Sequence, residues 1–232
     1  MPNELKLAII PARGGSKRIP GKNSKNFLGE PILSYSIKAA IESREFDEVM
    51  VSTDDQLIAK LALSYGAKVP FLRSSTNSND KAIISDVLRE VIAEYESMGT
   101  KFKYLCCIYP TAPFITSKKL QDSYEVMLKT KAGVVLPVVR FNYPVQRALL
   151  IDANDRVKLL QEEYRTTRSQ DLPPIYHDAG QFLWLNVAAF KSSSQIFTDD
   201  VVPFVLNELE VQDIDTEEDW KIAEMKYQLI HA

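Results

Sequence analysis

Five cations and three glycines share the stretch "PARGGSKRIPGKNSKN" (11–26), and no acid lies between Glu4 and Glu30 to balance them, although the formal net charge of the chain is −3. Such a segment is suited to an anion. Gly14 and Gly15 are expected to let backbone N–H groups converge on it without a Cβ in the way, while Arg13, Lys17, Arg18 and Lys22 add charge-assisted hydrogen bonds. Several cations on one loop fit a polyphosphate better than a single carboxylate. The loop is not the usual NTPase phosphate loop, because five residues separate Gly15 from Gly21 and Asn23 follows Lys22, where that motif needs four residues and a Ser or Thr. Nor does it contain the dinucleotide pattern G-x-G-x-x-G.

An acidic counterpart lies near the other end, in "VQDIDTEEDW" (211–220). Read as part of a strand over 209–215, Asp213 and Asp215 project from one face and Ile214 from the other. Two neighbouring carboxylates are costly unless a cation joins them, and Mg²⁺ takes one or two carboxylates together with phosphate oxygens. Thr216 and Asp219 form a capping box that accounts for residues 216–219 as a helix start, and it leaves Asp213 and Asp215 over as candidate metal ligands.

These residues need elements to hold them. Apolar, β-branched runs at 6–12, 48–54, 68–73, 104–110, 133–139, 182–190 and 209–215 alternate with amphipathic segments at 32–43, 55–66, 85–99 and 117–131. Near-continuous hydrophobicity in the runs predicts strands covered on both faces, and the alternation predicts an α/β fold with a doubly wound, mostly parallel sheet. In such sheets ligands sit beyond the carboxyl ends of the strands, where the basic loop begins. The helix at 55–66 starts on an Asp cap and stops at Gly66; the helix at 117–131 opens on Thr116 or Ser117. The order breaks between about 140 and 180, where "ALLIDANDRVKLLQ" reads as a hairpin turning at Asn154-Asp155. A hairpin cannot bury its own faces, so the excursion at 141–178 is expected to pack on the site, on a second subunit, or on both. The whole of 1–232 reads as one domain.

Composition excludes other classes. One basic loop on an acidic chain does not make the broad basic face of a nucleic-acid binder. No apolar run approaches the roughly 20 residues that cross a bilayer, and no charged-then-apolar leader pattern opens the chain. Cys106 and Cys107 are adjacent and cannot close an ordinary disulfide loop, which predicts a soluble protein of the reducing cytoplasm. No G-x-S-x-G motif occurs, and His177 and His231 are the only imidazoles.

The long motif "IIPARGGSKRIPGKN" resembles the N-terminal signature of the cytidylyltransferases that activate acidic sugars, the CMP-sialic acid synthetase family. "VMVSTDDQLIAKLALSYGAKVPFLR", "YPTAPF" and "QDIDTEEDW" resemble later segments of the same family, so the likeness runs from residue 5 to about 225. It implies a nucleotide-diphospho-sugar transferase-like fold in which Arg13, Ser16, Lys22 and Asn23 hold the triphosphate of CTP, with Lys22 on the α-phosphate and Lys17 or Arg13 farther out. It also implies Arg73 near the cytosine, Asp213 and Asp215 on Mg²⁺, and a homodimer. Arg168 best matches the family arginine that binds the sugar carboxylate, with Arg165 next. Sialic-acid enzymes read N-G-x-I-Y after their L-P segment, whereas this chain has "YHDAGQFLW". "YHDAGQ" and "NYPVQRAL" are more similar to members that use pseudaminic acid for bacterial surface glycosylation. The resemblance therefore implies CTP and an acidic nine-carbon sugar as substrates, with Gln146, Tyr176, His177, Asp178 and Gln181 as sugar contacts. The base stays open between a metal-bound water and a carboxylate such as Asp178 or Asp213.

Overall fold

The computed structural model describes residues 4–231. Strand β1 (Lys6–Pro11) runs into the basic loop, which contains a 3₁₀ turn at Lys22–Ser24 and ends in a small hairpin of β2 (Asn26–Phe27) and β3 (Glu30–Pro31). Helix α1 (Ile32–Ser43) leads to β4 (Glu48–Ser52), α2 (Gln56–Ser64) and α3 (Ile84–Ser97). Then come β5 (Tyr104–Ile108), α4 (Ser117–Thr130) and β6 (Val134–Arg140). The excursion holds the hairpin of β7 (Leu149–Ile151) and β8 (Val157–Leu159), after which β9 (Tyr176–Asp178), β10 (Phe182–Asn186), α5 (Val187–Ser193), β11 (Val201–Leu206) and α6 (Glu217–Ile230) complete the chain. Among the described residues no helix is long and apolar enough to cross a membrane.

The main sheet has the order β11-β6-β10-β5-β1-β4. β1 pairs in parallel with β4 and β5, and β11 in parallel with β6; β10 runs antiparallel between β5 and β6. Both faces are covered, as the unbroken apolar runs require. Ala8, Ile10, Cys106 and Trp184 pack on one side with residues of α1, α2 and α4, while Leu7, Ile9, Leu105 and Cys107 pack on the other with residues of α3 and α5. Alternation thus sends Cys106 and Cys107 to opposite faces as buried free thiols. Asp55 caps α2 by accepting from the Leu57 and Ile58 N–H groups, and Thr116 caps α4.

Three expected strands change. The run at 68–73 contributes only a single bridge, Lys68 to Met50, since Pro70 has no N–H to continue a ladder. The run at 182–190 stops being a strand at Asn186, whose side chain accepts from the Ala188 and Ala189 N–H groups and starts α5. The run at 209–215 is a 3₁₀ turn (Glu208–Glu210) followed by extended chain without a sheet partner; the last strand is β11, "VVPFVL", whose Pro203 is tolerated because β11 is an edge strand.

The excursion also ends earlier than 178. Phe141 N–H donates to the Ile175 carbonyl (3.0 Å), and Tyr176, His177 and Asp178 then pair antiparallel with Arg140, Val139 and Val138 of β6. β9 and β10 therefore flank β6 along one edge, interrupted at Ala179–Gln181, where Gly180 takes the left-handed φ of 62° that glycine accepts without strain.

Candidate active site

The basic loop rises from a rigid base. Ala12 N–H donates to the Ser52 carbonyl of β4 (2.9 Å), so the chain is still tied to the sheet as it leaves β1. Asn23, only 6% exposed, donates its side-chain N–H to the Arg13 carbonyl (2.8 Å) and staples one end of the loop to the other. Ile19, at the loop centre, is buried with Phe27, Phe114, Ile214 and Trp220. From this base Arg13, Ser16, Lys17, Lys22 and Asn23 line a cavity of about 630 Å³ whose far wall includes Tyr109, Asp178 and Asp213.

Gly14 has a packing role that the sequence reading did not include. Gly14 N–H is engaged by Asp54 Oδ1 (3.0 Å), and a Cβ at Gly14 would lie 2.7 Å from Asp55 Oδ2. Gly14 is small so that the cap of α2 can pack against it. A Cβ at Gly15 meets nothing within 4 Å, so no neighbouring protein atom requires that glycine and the space beside it is open.

Asp213 and Asp215 do converge on the loop, without a strand to direct them. Ile214 between them is 1% exposed and plugs the aromatic cluster, which turns its two neighbours toward the cavity side. The Ile214 carbonyl accepts from Lys22 Nζ at 2.5 Å, and Asp215 Oδ1 lies 2.6 Å from Arg18 and 3.6 Å from Lys22. Asp213 lies against Gly180, where an added Cβ would stand 3.8 Å from its Cγ. Burial, then the like charge of Asp215, raises the Asp213 carboxyl above the usual carboxylate range, and neither Lys22 nor the Ile214 N–H brings it back. A carboxylate pair left in that electrostatic state fits a divalent cation. Among the described residues no group of three or more His, Cys, Asp or Glu side chains gathers as a metal site, so the pair would need further ligands from substrate and water.

Arg73 is 7% exposed and tied to the end of β4, donating from Nε to Ser52 Oγ (3.0 Å) and from Nη2 to the Ser52 carbonyl. Burial lowers its pKa, opposed by Asp54 and Glu90. It lines a cavity of about 260 Å³ that shares Arg13, Asp80 and Tyr109 with the larger one.

The residues expected to read a sugar separate into groups. Asp178 is on the wall of the loop cavity, its Oδ1 accepting from Gly180 N–H (2.8 Å). Gln181 is 1% exposed, with Nε2 on the Glu210 carbonyl and Oε1 unpartnered. Gln146 is likewise buried and donates to the Pro173 carbonyl (2.8 Å), inside the base of the excursion. His177 packs at a tilt against Phe141 (ring centroids 4.5 Å apart, planes at 52°) and lines another cavity, of about 590 Å³, together with Arg140, Tyr143, Asp213 and Asp215. Tyr176 is exposed beside it on β9. Arg165 is paired with Glu162 (2.5 Å) and Arg168 is exposed, and neither lines the cavities that meet at Asp213.

Three residues were not anticipated. Tyr109 precedes the P-T-A-P turn and faces the cavity, its hydroxyl proton held tightly by burial and by Cys107, Asp178 and Asp213; its position after β5 was the available signal. Arg140 ends β6 and, among the described residues, enters no side-chain hydrogen bond or ion pair. Asp80, in a polar run without periodicity, holds both Arg13 and Lys17.

A family model described as cytidylyltransferase matches residues 7–223. The chain is 41% identical over 225 residues to pseudaminic acid cytidylyltransferase of Campylobacter jejuni serotype O:2, covering 97% of each chain. It is 31% identical over 230 residues to CMP-N,N'-diacetyllegionaminic acid synthase of Legionella pneumophila, covering 96% of each. The fold is similar to that of CMP:2-keto-3-deoxy-manno-octonic acid synthetase complexed with CTP, with a TM-score of 0.69 at 15% identity, covering 98% of this chain and 99% of the other.

If Gly14 is small to admit Asp55, Gly14→Ala should destabilise the protein by about 1–3 kcal/mol in denaturant unfolding and weaken binding of tripolyphosphate, because the loop and the α2 cap move together. A Gly14→Ala protein as stable as the parent would contradict the steric account.

Proposed function

The chain belongs to the cytidylyltransferase family, and from that premise we propose that it transfers CMP from CTP to pseudaminic acid and releases pyrophosphate. The 41% identity to the Campylobacter jejuni enzyme over nearly the whole of both chains carries this reading. The oxygen of the sugar's anomeric hydroxyl bonds to the α-phosphorus, the bond from that phosphorus to the β-bridging oxygen breaks, and the hydroxyl proton passes to a base. Negative charge builds on the leaving pyrophosphate, and fixed cations stabilise it most where water is excluded. Lys22, held between Ile214 and Asp215, serves the α-phosphate; Arg13 and Lys17, farther out on the same loop, serve the leaving phosphates. Arg73 and the small cavity beside it take the base end of the nucleotide.

Asp213 and Asp215 would hold Mg²⁺, which supplies Lewis-acid neutralisation of the phosphate charge when bound. Asp178, on the cavity wall and outside the metal pair, is a carboxylate that can accept the proton, and Tyr109 lines the same cavity.

The acceptor carries its carboxylate on the same carbon as the attacking hydroxyl, so a cation must stand near Asp213 on the side away from the nucleotide. Arg140 lines that cavity and, among the described residues, its side chain has no hydrogen-bond or ion-pair partner. Arg168 and Arg165 lie on the excursion, whose Leu149, Leu150, Ile151 and Val157 are exposed apolar residues on a two-stranded hairpin. The reading gives that hairpin to a second copy of the chain as a homodimer arm, which would carry Arg168 to the partner's site. A cytoplasmic setting suits the buried free thiols, of which Cys107 is pushed up to about 12 by burial, and a reaction that draws on CTP.

The likeness to the Legionella enzyme supports a second acceptor, a legionaminic acid. Pyrophosphate release with CTP and Mg²⁺ is expected with pseudaminic acid and to be much slower with legionaminic or sialic acid. Lys22→Ala should slow turnover on the order of 10²-fold or more. Tight CTP binding without turnover of any of the three acids would reject the enzymatic reading. Arg140→Ala is expected to raise the KM for the sugar about 10-fold or more, in line with the ~1.5–3 kcal/mol of a charged hydrogen bond, with the KM for CTP unchanged. An effect confined to Arg168→Ala would return that role to the excursion.

A further inference from the structure

The loop cations already have an anion in the free protein. Asp80 Oδ1 lies 2.9 Å from Arg13 Nη1, and Oδ2 takes Lys17 Nζ. These are the two cations that the functional reading assigns to the leaving phosphates, and Asp80 lines the same cavity as they do. Lys17, followed by Arg13, holds the Asp80 carboxyl below the usual carboxylate range. The turn that carries it is anchored rather than loose. Ser74 donates from its N–H (2.7 Å) and its hydroxyl (2.9 Å) to Glu90 of α3, Asn77 donates to the same carboxylate, and Lys81 N–H returns to Asn79 Oδ1 (2.8 Å).

Together these contacts make the outer end of the phosphate site an ion-exchange position. We infer that Asp80 is an internal counter-anion: it keeps Arg13 and Lys17 aligned and partly neutralised, and a polyphosphate binds by displacing it. The inference rests on the functional reading above and adds a selectivity to it. A small anion such as inorganic phosphate gains two cation contacts only by breaking two that exist. CTP gains the same contacts plus those of Lys22, Arg73 and the nucleoside end, so the displacement weighs less on it. Pyrophosphate, once cut from the nucleoside, meets a carboxylate ready to reclaim its cations, which favours its departure. Both pairs are solvent-exposed and therefore individually weak, so the expected selectivity is about 3- to 10-fold rather than absolute.

Calorimetric titration of the full chain with CTP, pyrophosphate and inorganic phosphate, in magnesium-containing buffer of low ionic strength and without sugar, tests this. Asp80→Asn is expected to bind pyrophosphate and phosphate about 3- to 10-fold tighter than the parent, with a smaller gain for CTP. The gain should shrink as salt is added, and Asp80→Glu should return the parent values. In turnover assays pyrophosphate should inhibit Asp80→Asn at correspondingly lower concentration. Equal or weaker binding of pyrophosphate by Asp80→Asn, in a parent that binds CTP, overturns this inference alone and makes Asp80 a support for the cations or a nucleotide contact. A parent that takes up no CTP removes the functional reading, and this inference falls with it.

Discussion

The hydrogen bond from Lys22 Nζ to the Ile214 carbonyl, 2.5 Å long and closing 192 residues of chain, joins the two halves of the site. A loop of like charges repels itself, and a pair of neighbouring aspartates does the same. Each becomes tolerable only beside the other, and the contact must leave room for a ligand instead of collapsing into a closed set of ion pairs. Ile214 meets both needs. Its side chain is sealed among Ile19, Phe27, Phe114 and Trp220, so the segment cannot drift, and its carbonyl takes Lys22 while leaving Asp213 and Asp215 to face the cavity. Every cation of the loop then has a carboxylate within reach: Arg13 and Lys17 at Asp80, Arg18 and Lys22 at Asp215, Lys25 at Glu217. The free protein thus carries its own stand-ins for the charges of a substrate.

The sheet makes room for this arrangement. β1 and β5 deliver the basic loop and Tyr109 at their carboxyl ends, as open α/β sheets do. β10 runs the other way between β5 and β6, so Gly180 and Gln181, which lead into it, stand at the same end. The break between β9 and β10 at Gly180 opens the wall against which Asp213 lies. Asp213 consequently borders two cavities, one lined by the cations of the basic loop and the other by Arg140 and His177. A reaction between a polyphosphate and an anionic acceptor needs that division, because the two anions must approach one another from separate cationic surroundings.

Much of this was legible in the chain itself, for local reasons. Strands buried on both faces read as unbroken apolar runs, and caps such as Asp55 and Thr116 act within a few residues, so most element ends fell close to where the pattern put them. What was misread depends on partners distant in sequence. The runs at 68–73 and 209–215 have strand composition but no neighbour to complete a ladder, whereas β11 was hidden by a proline that only an edge position excuses. Gly14 looked like an opening for an anion, yet its need is steric and comes from Asp55, far along the chain. Asp213 and Asp215 were singled out as a strand pair sharing one face, whereas a buried Ile214 orients them in extended chain outside any strand. Asp80 left no mark in its sequence neighbourhood; its meaning lies entirely in the two cations it meets.

The central claim is that the cationic loop and the carboxylate segment form one polyphosphate and metal site, with Asp80 as the displaceable anion. A crystal structure with CTP and Mn²⁺, whose anomalous signal locates the metal directly, tests it most directly. The account predicts manganese at Asp213 and Asp215, the phosphates on Lys22, Arg13 and Lys17, and Asp80 released from both cations. Manganese bound elsewhere, or a triphosphate lying outside the loop with the Asp80 pairs intact, would contradict it.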